Sequence, residues 1–361
     1  MDKGLSEIVL GSQHSGYNLV GHEDHNRSAH EKSQIGSKNE NDEANRKIHP
    51  SSGYEKLLQN TVLPAQHSQN GNVQSLSRGM LTPPTTKNTS NEQNFDLLST
   101  VEKTRRLKGW VIVQILNLGY INMTKSWICN VECMNVLPFT IFVTSDSQAY
   151  WALREWKPHL NVVLQKFGNS KSMKFHEDSY NEFMGYRVRI VDSILNTGVA
   201  VFLVESDAVW LANPTNFIER YSNVDIVATA NNAGQEDKTA MAGFIFLNAT
   251  SWTRRIWKEL RERLDHISAA YHNGTGRTIA DMGILNGLIR REGLKIQWLP
   301  DDQFFSGQWY RKPELRDIPK QPVVIQNNYI VGNGRKEERA KLWNHWFLSN
   351  STNECIGNPC R

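Results

Sequence analysis

The chain of 361 residues has no uninterrupted apolar run of about 18 residues, so a membrane-spanning helix is excluded for the sequence as given. Its opening residues carry acids where a secretory signal has a basic region, so no such signal is predicted. The chain also lacks a strong excess of charge of either sign, because 41 Lys and Arg oppose 37 Asp and Glu, for a net charge of +4. This balance, without zinc-finger, helix-turn-helix or RNA-binding patterns, argues against nucleic acid as a partner.

Cysteine is scarce too, with four in the chain, and these form two closely spaced pairs: Cys129/Cys133 and Cys355/Cys360. They permit disulfides or a four-thiolate metal site. Neither pair has the C-x2-C spacing common in zinc sites, which favours disulfides. Four unpaired thiols in a cytosolic protein remain the alternative. Six Asn-x-Ser/Thr triplets would fit a secretory route, but such triplets are frequent by chance in a chain of this composition.

Aromatic side chains are nearly absent from residues 1–98, where Tyr17, Tyr54 and Phe95 are the exceptions. Ser, Asn, Gln, Lys and Glu dominate this segment, and a segment of that composition cannot bury enough apolar surface to fold alone. The sequence therefore predicts a disordered, stem-like spacer over 1–98 and a folded domain over 99–361.

Short apolar runs alternate with helical patterns beyond residue 109, which predicts an α/β fold with a mostly parallel sheet flanked by helices. The predicted strands are 110–117, 139–144, 199–204, 225–229, 243–247, 295–299 and 323–325. The run 199–204 is apolar on both faces, as expected of a central strand covered on each side. Helices are predicted over 187–196 and 252–264, from Asp281 onward, and at the end of the domain through Phe347.

Two carboxylates, Glu205 and Asp207, directly follow the most apolar strand. Ligand sites of open α/β sheets lie beyond the carboxyl ends of the strands. Two acids in a tight turn there could hold one hard cation together with substrate phosphates. The alternative is an exposed loop whose acids are merely solvated, but acids beside a buried strand are costly without a partner.

Residues 201–214, VFLVESDAVWLANP, resemble the Asp-x-Asp-x-Val-Trp-Leu-x-x-Pro signature of the nucleotide-diphospho-sugar transferase domain. That family includes xylosyltransferases and arabinosyltransferases of the plant cell wall. The resemblance continues, in the family's order, through 189–198, 242–246, 281–286 and 327–332. It therefore covers essentially the whole predicted domain.

The resemblance implies a GT-A type of fold with a Rossmann-like sheet, a UDP-sugar donor, Mn²⁺ or Mg²⁺, and retention of anomeric configuration. It identifies Asp207 and Glu205 as metal ligands. Glu205 departs from the family's first Asp by one methylene. Gln326 stands where many relatives carry a ligating His, and it offers a neutral oxygen that is a poorer ligand than imidazole for Mn²⁺.

Five further residues are predicted to meet the donor, each with a structural alternative. Thr144 and Asp146 could contact uridine, although Asp146 could instead cap a helix. Arg189 would contact the diphosphate or order the acid loop, or else be a solvated helix residue. Lys336 could close over the diphosphate from a Gly-rich turn, or lie in an exposed basic loop. Asp281 would face the donor sugar as an electrostatic or positioning group, or simply begin a helix.

The predicted reaction is sugar transfer from a UDP-sugar to a hydroxyl of a glycan or glycoprotein. The alternatives are a catalytically silent glycan-binding or scaffold protein of the same fold, and a metal-dependent phosphate hydrolase. Trp210 and Trp309 could line an acceptor groove, although most Trp side chains belong to cores. The resemblance favours the Golgi lumen, with membrane attachment only through an N-terminal anchor absent from this sequence; a cytoplasmic location is the alternative.

Overall fold

The computed structural model describes residues 92–356, apart from gaps at 169–170, 172, 174–177, 222, 232–235, 273–280 and 292. Most of the predicted spacer, residues 1–91, lies outside these described residues. Helix α1 (Glu92–Arg105) begins ahead of the predicted boundary at residue 98. It buries Leu97 and Val101 in the core, and this pair, four residues apart in a polar stretch, was too weak a signal to place the helix by sequence.

Eight further helices and ten strands follow along the described residues. The helices are α2 (Ile121–Val131), α3 (Ser147–Trp156), α4 (Asp178–Leu195), α5 (Thr215–Glu219), α6 (Ser251–His272), α7 (Asp281–Ile289), α8 (Pro313–Arg316) and α9 (Asn333–Leu342). The strands are β1 (Trp110–Leu116), β2 (Thr140–Thr144), β3 (Asn161–Leu164), β4 (Ala200–Val204), β5 (Ala208–Trp210), β6 (Ile226–Ala230), β7 (Ala240–Leu247), β8 (Ile296–Trp298), β9 (Phe304–Phe305) and β10 (Val324–Gln326).

Seven of these strands form one sheet in the order β3-β2-β1-β4-β7-β6-β8. Strand β7 runs antiparallel to both of its neighbours, and the other pairs in this sheet are parallel. The carboxyl ends of β1, β2 and β4 therefore meet at one edge, which is where such sheets bind ligands. The predicted α/β class with a mostly parallel sheet is confirmed.

Strand β4 lies at the centre of this sheet and every residue in it is buried. Because side chains alternate along a strand, Val201 and Leu203 join the apolar core on one face, while Phe202 and Val204 join the aromatic-rich core on the other. The apolar run 199–204 thus reflects a strand covered on both sides, as predicted.

The chain turns sharply after β4, and β5 leaves the large sheet. Ala208 N donates to Glu205 O at 3.1 Å, and Glu205 N donates to Gly243 O at 2.8 Å. Strand β5 then pairs antiparallel with β10, which also pairs parallel with β9. This second, three-stranded sheet places Gln326 opposite Ala208, next to the acid-bearing turn.

A disulfide joins Cys129 on α2 to Cys355, across 226 residues of sequence, and Cys133 is disulfide-bonded as well. The preference for disulfides is therefore confirmed, and the first of them connects the two local pairs. Cys360 lies outside the described residues. Over the described part of the chain, no helix combines the length and apolar character that a membrane crossing requires.

All seven predicted strands are present, with ends within a few residues of the predicted ones. The last helix was predicted too long: α9 ends at Leu342, and Asn344 with φ 56° follows in the left-handed region. Strands β3, β5 and β9 were not predicted, because runs of two to four residues carry little periodicity of their own.

Candidate functional site

The turn between β4 and β5 places Glu205 and Asp207 at the carboxyl edge of the large sheet. The Glu205 side chain is 35% exposed, whereas that of Asp207 is 3% exposed. Asp207 O accepts a hydrogen bond from Asn327 N at 2.8 Å, which fixes this turn to the chain that leaves β10. A buried carboxylate and a half-buried one in such a turn require cationic partners.

Arg187 supplies the first cation. Its side chain lies 8% exposed on α4, and its Nη1 donates to Glu205 Oε1 at 2.6 Å. Arg189, the residue predicted for this role, is 42% exposed and pairs with Asp265 on α6 at 2.6 Å. Two residues along a helix correspond to a rotation of about 200°, so the two arginines lie on different faces. The prediction that Arg189 orders the acid loop is therefore wrong, since Arg187 holds that position, and its predicted contact with the diphosphate stays a prediction.

Lys336, predicted to close over a diphosphate, supplies the second cation. Its Nζ donates to Asp207 Oδ2 at 2.6 Å from the first turn of α9, and its side chain is 21% exposed. Gly332, with φ 95°, begins that helix in a backbone conformation that side chains disfavour. Burial lowers the pKa of Lys336 and the Asp207 carboxylate raises it, with a net shift upward, so the ammonium stays charged at neutral pH.

Gln326 completes this group of side chains. Its Nε2 donates to Glu205 Oε2 at 3.0 Å, so both oxygens of Glu205 are engaged by donors. Gly243 on β7 makes room for the contact, since a β-carbon there would overlap both Gln326 Nε2 and Glu205 Oε2. We refer to Arg187, Glu205, Asp207, Gln326 and Lys336 as the acid–base cluster.

The predicted metal ligands Glu205, Asp207 and Gln326 are therefore brought together, but they are not equally available. Asp207 Oδ1 and Gln326 Oε1 are buried and have no hydrogen-bond partner among the described residues. Within that same part of the chain, no group of three or more His, Cys, Asp or Glu is placed to hold a metal ion. Two oxygen donors fit a hard cation that shares its remaining positions with substrate phosphates.

Asp281 begins α7 and is also buried near this cluster. Its Oδ1 accepts from Met282 N, the next residue, at 2.8 Å, and its place in the first turn fits the dipole role that the sequence left open. Burial raises the pKa of its carboxyl, against the opposing effect of the nearby Arg187 guanidinium. Burial likewise raises the pKa of Tyr180, and the carboxylates of Asp281 and Glu205 raise it further. Tyr180, Asp281 and Glu205 therefore lie close enough to influence one another's protonation.

Thr144 and Asp146, predicted to contact uridine, both make hydrogen bonds to the local backbone. Thr144 Oγ1 donates to Val163 O at 3.2 Å on the neighbouring strand. Asp146 Oδ1 accepts from Ala149 N at 2.9 Å as the N-cap of α3, and its Oδ2 accepts from Leu118 N at 2.8 Å. These contacts support the capping alternative for Asp146, and the contact with uridine stays a prediction.

Sequence reasoning missed Arg187 and Arg339. Arg187 shares its helix face with the buried Met184 and Val191, at spacings of three and four, so a charged residue on an apolar stripe was the available signal. Arg339 donates from Nε to Asn327 Oδ1 at 2.6 Å and from Nη2 to Asn328 O at 2.6 Å. It thereby fixes the loop that links β10 to the helix carrying Lys336.

The two tryptophans proposed for an acceptor groove are packed into aromatic clusters. Trp210 is 1% exposed and contacts Trp127 edge-on at 5.3 Å between ring centroids. Trp309 packs against Trp343 at 5.2 Å, and Arg316 lies over both rings. Both residues therefore follow the more common structural use of Trp.

Comparison with known proteins points to one family. A family model described as nucleotide-diphospho-sugar transferase matches residues 135–340, more than half of the chain. A UDP-D-xylose:L-fucose α-1,3-D-xylosyltransferase of Arabidopsis thaliana is 20% identical over 286 residues, which cover 74% of this chain and 74% of that protein. The β-arabinofuranosyltransferase RAY1 of the same plant is 21% identical over 283 residues, which cover 73% of this chain and 52% of RAY1.

Among solved structures, the galactosyltransferase LgtC in complex with donor and acceptor sugar analogues superposes with a TM-score of 0.43 at 13% identity. The superposition covers 66% of this chain and 96% of LgtC. The segment that the family model matches, 135–340, contains all five residues of the acid–base cluster.

Proposed function

The chain belongs to the nucleotide-diphospho-sugar transferase family, a family of glycosyltransferases, and we propose that it transfers a sugar from a UDP-sugar to a hydroxyl of a glycan or glycoprotein. The observation that carries this proposal is the Asp207–Lys336 pair, at 2.6 Å, at the ligand-binding edge of the sheet. A partly exposed ammonium beside a buried carboxylate offers one group for a phosphate and one for a cation.

In this proposal, Lys336 binds the diphosphate of the donor while it keeps Asp207 Oδ2, since an ammonium has three N–H donors and this side chain is 21% exposed. A divalent cation bound there, Mn²⁺ or Mg²⁺, would supply Lewis-acid stabilisation of the charge that develops on the departing diphosphate. Arg187 neutralises Glu205, so this carboxylate adds no uncompensated negative charge next to the diphosphate.

We further propose that the transfer retains the anomeric configuration. The bond between the anomeric carbon and the diphosphate oxygen breaks, the acceptor oxygen bonds to that carbon on the same face, and the acceptor proton passes to the leaving oxygen. Asp281 acts as an electrostatic or positioning group beside the sugar, and its burial near Arg187 and Glu205 of the acid–base cluster supports this role.

The donor sugar is proposed to be a pentose or hexose, with xylose and arabinose tested first because the named relatives are xylosyl- and arabinosyltransferases. We propose the Golgi lumen as the site of action. The disulfide between Cys129 and Cys355 supports it, because disulfides persist in oxidising compartments and are rare in the cytosol.

The test is release of UDP by the full chain from a panel of UDP-sugars, with glycan acceptors, Mn²⁺ and Mg²⁺. Turnover of one UDP-sugar that falls about tenfold or more in Lys336→Met supports the proposal. Lys341→Met is the matched control, because Lys341 lies on the same helix but pairs with Glu337 on the surface. Absence of UDP binding and of turnover with every donor would contradict the proposal, and UDP binding without turnover would favour the silent alternative.

A further inference from the structure

Two side-chain oxygens in the acid–base cluster stand apart from the rest. Asp207 Oδ1 and Gln326 Oε1 are buried, and neither has a partner in the part of the chain that is described. They lie on adjoining backbone, because Gln326 is opposite Ala208 and Asn327 N bonds to Asp207 O at 2.8 Å. Buried oxygens of this kind are costly unless a ligand satisfies them.

Glu205 differs from Asp207 because each of its carboxylate oxygens already accepts a side-chain hydrogen bond. Oε1 accepts from Arg187 Nη1 at 2.6 Å, and Oε2 accepts from Gln326 Nε2 at 3.0 Å. Arg187 is itself held in place, since its side chain is 8% exposed and its Nη2 lies 3.4 Å from Ala242 O. A metal ion on Glu205 would lie next to the Arg187 guanidinium and compete with it for the carboxylate, and displacing Arg187 would leave a buried guanidinium without its anion.

The contact with Glu205 also sets the direction of the Gln326 amide. An ionised carboxylate only accepts hydrogen bonds, so the amide must turn its NH₂ group toward Glu205 and its oxygen away. Carboxylates that orient a metal ligand by a hydrogen bond of this kind are a common feature of metal sites. The contact therefore presents Gln326 Oε1 as a ready oxygen donor.

Lys336 leaves Asp207 Oδ1, the other unpartnered oxygen, available to a cation. It occupies Asp207 Oδ2 and not Oδ1, so that carboxylate can hold a cation on one oxygen while the ammonium stays on the other. The charges balance when a diphosphate is present: Arg187 compensates Glu205, Lys336 compensates Asp207, and a divalent cation compensates the two negative charges of a sugar diphosphate.

We propose that the divalent cation of the donor complex is held by Asp207 Oδ1 and Gln326 Oε1, and that Glu205 is a positioning residue instead of a ligand. This inference rests on the proposed function. Two protein oxygens make a weak site on their own, so the cation binds together with the diphosphate, whose oxygens complete its shell. An all-oxygen donor set suits Mg²⁺ and Mn²⁺ and lacks the imidazole that would favour later transition metals.

The test measures Mn²⁺ binding to the full chain by electron paramagnetic resonance, with and without saturating UDP. Mn²⁺ alone is expected to bind weakly, and UDP is expected to strengthen its retention on the protein about tenfold or more. In the UDP complex, Asp207→Asn and Gln326→Leu are each expected to weaken Mn²⁺ binding about tenfold or more, because each removes a direct ligand.

Glu205 variants decide between positioning and ligation. Glu205→Leu removes the acceptor for the Gln326 amide and is expected to weaken Mn²⁺ binding about tenfold. Glu205→Gln still presents an acceptor oxygen, and in an Arg187→Met background, which removes the charge left unpaired, it is expected to stay within about threefold of wild type. Thermal unfolding of each variant establishes that it is folded.

A spectroscopic arm uses Gln326→His. Pulsed resonance of Mn²⁺ in the UDP complex is expected to detect no directly bound nitrogen in the wild type and one imidazole nitrogen in this variant. Its appearance would locate residue 326 in the shell of the ion without reference to activity, and a variant spectrum without nitrogen would remove residue 326 from the shell and overturn the proposal.

Two results would overturn the inference and leave the proposed function intact. The first is a loss of Mn²⁺ affinity in Glu205→Gln, both alone and combined with Arg187→Met, as large as the loss in Asp207→Asn. That result would make Glu205 a ligand. The second is UDP binding that is equally strong in EDTA, which would remove the cation from the site. Absence of UDP binding under every condition would instead refute the proposed function itself.

Discussion

Two parallel strands of the same sheet, β2 and β4, end in acids at the same edge, and the molecule uses those acids differently. After β2, both oxygens of Asp146 accept backbone N–H groups, from Ala149 and Leu118. After β4, Glu205 and Asp207 pair instead with the side chains of Arg187 and Lys336.

The difference follows from what the chain does next. Helix α3 begins at Ser147, directly after Asp146, and its first turn has N–H groups without helical partners that attract an acid. After β4 the chain turns into another strand, and its N–H groups bond elsewhere: Ala208 N donates to Glu205 O, and Trp210 N donates to Asn130 Oδ1. The acids there remain available to cations, so the element that follows a strand, more than the acid itself, decides whether an edge carboxylate is structural or ligand-facing.

The largest expected effect comes from removing the cation under the β4 end. Arg187→Met leaves Glu205 without its charged partner and should lower the free energy of unfolding by about 3 kcal/mol. Arg189→Met, the control on the same helix, removes an exposed pair with Asp265 and should cost less than about 1 kcal/mol. Urea unfolding measures both, and equal losses would erase the distinction between the two arginines.

Next in size is an added methyl group between Glu205 and Gln326. Gly243→Ala should force these side chains apart and lower the free energy of unfolding by about 1–3 kcal/mol. UDP affinity, measured by calorimetry, should fall with it. Gly283→Ala is the control, since a β-carbon there meets nothing within 4 Å and should leave both quantities nearly unchanged or slightly improved. A Gly243 variant with normal UDP affinity would show that this contact is not needed at the β4 end.

At the β2 end, Asp146→Ala should lower the free energy of unfolding by about 1–2 kcal/mol, because α3 loses its cap and Leu118 N loses its acceptor. UDP affinity should stay within about twofold of wild type, since this carboxylate faces the backbone. Loss of UDP binding in a folded variant would restore Asp146 as a donor contact and break the contrast between the strand ends.

The smallest effect is expected for Thr144→Val, which removes the hydrogen bond to Val163 O but keeps the shape of the side chain. It should cost about 1 kcal/mol of unfolding free energy and leave UDP affinity unaltered. Calorimetry and urea unfolding of the same preparation give both numbers. A normal stability with weakened UDP binding would assign the hydroxyl to the ligand.

The sequence predicted the sheet well because its long strands are apolar on both faces, as in the run that became β4. It assigned Asp207 and Lys336 to the same diphosphate, and the structure brings these two side chains into contact. Arg189, and not Arg187, was predicted to order the acid loop. The rotational phase of this helix decides which of them reaches the loop, and its start, at Asp178, was not located from the sequence. The Cys129–Cys355 connection, across 226 residues, depends on tertiary packing that spacing does not encode.

The central claim is that the β4 end, and not the β2 end, receives the donor's diphosphate. The most direct test is a crystal structure of the full chain with UDP and Mn²⁺. We expect a phosphate oxygen within hydrogen-bond distance of Lys336 Nζ and Mn²⁺ coordinated by Asp207 and Gln326. We also expect Glu205 to remain paired with Arg187 and Asp146 to remain the N-cap of α3. A diphosphate bound away from Lys336, or Asp146 released from Ala149 and Leu118 to bind the nucleotide, would contradict it.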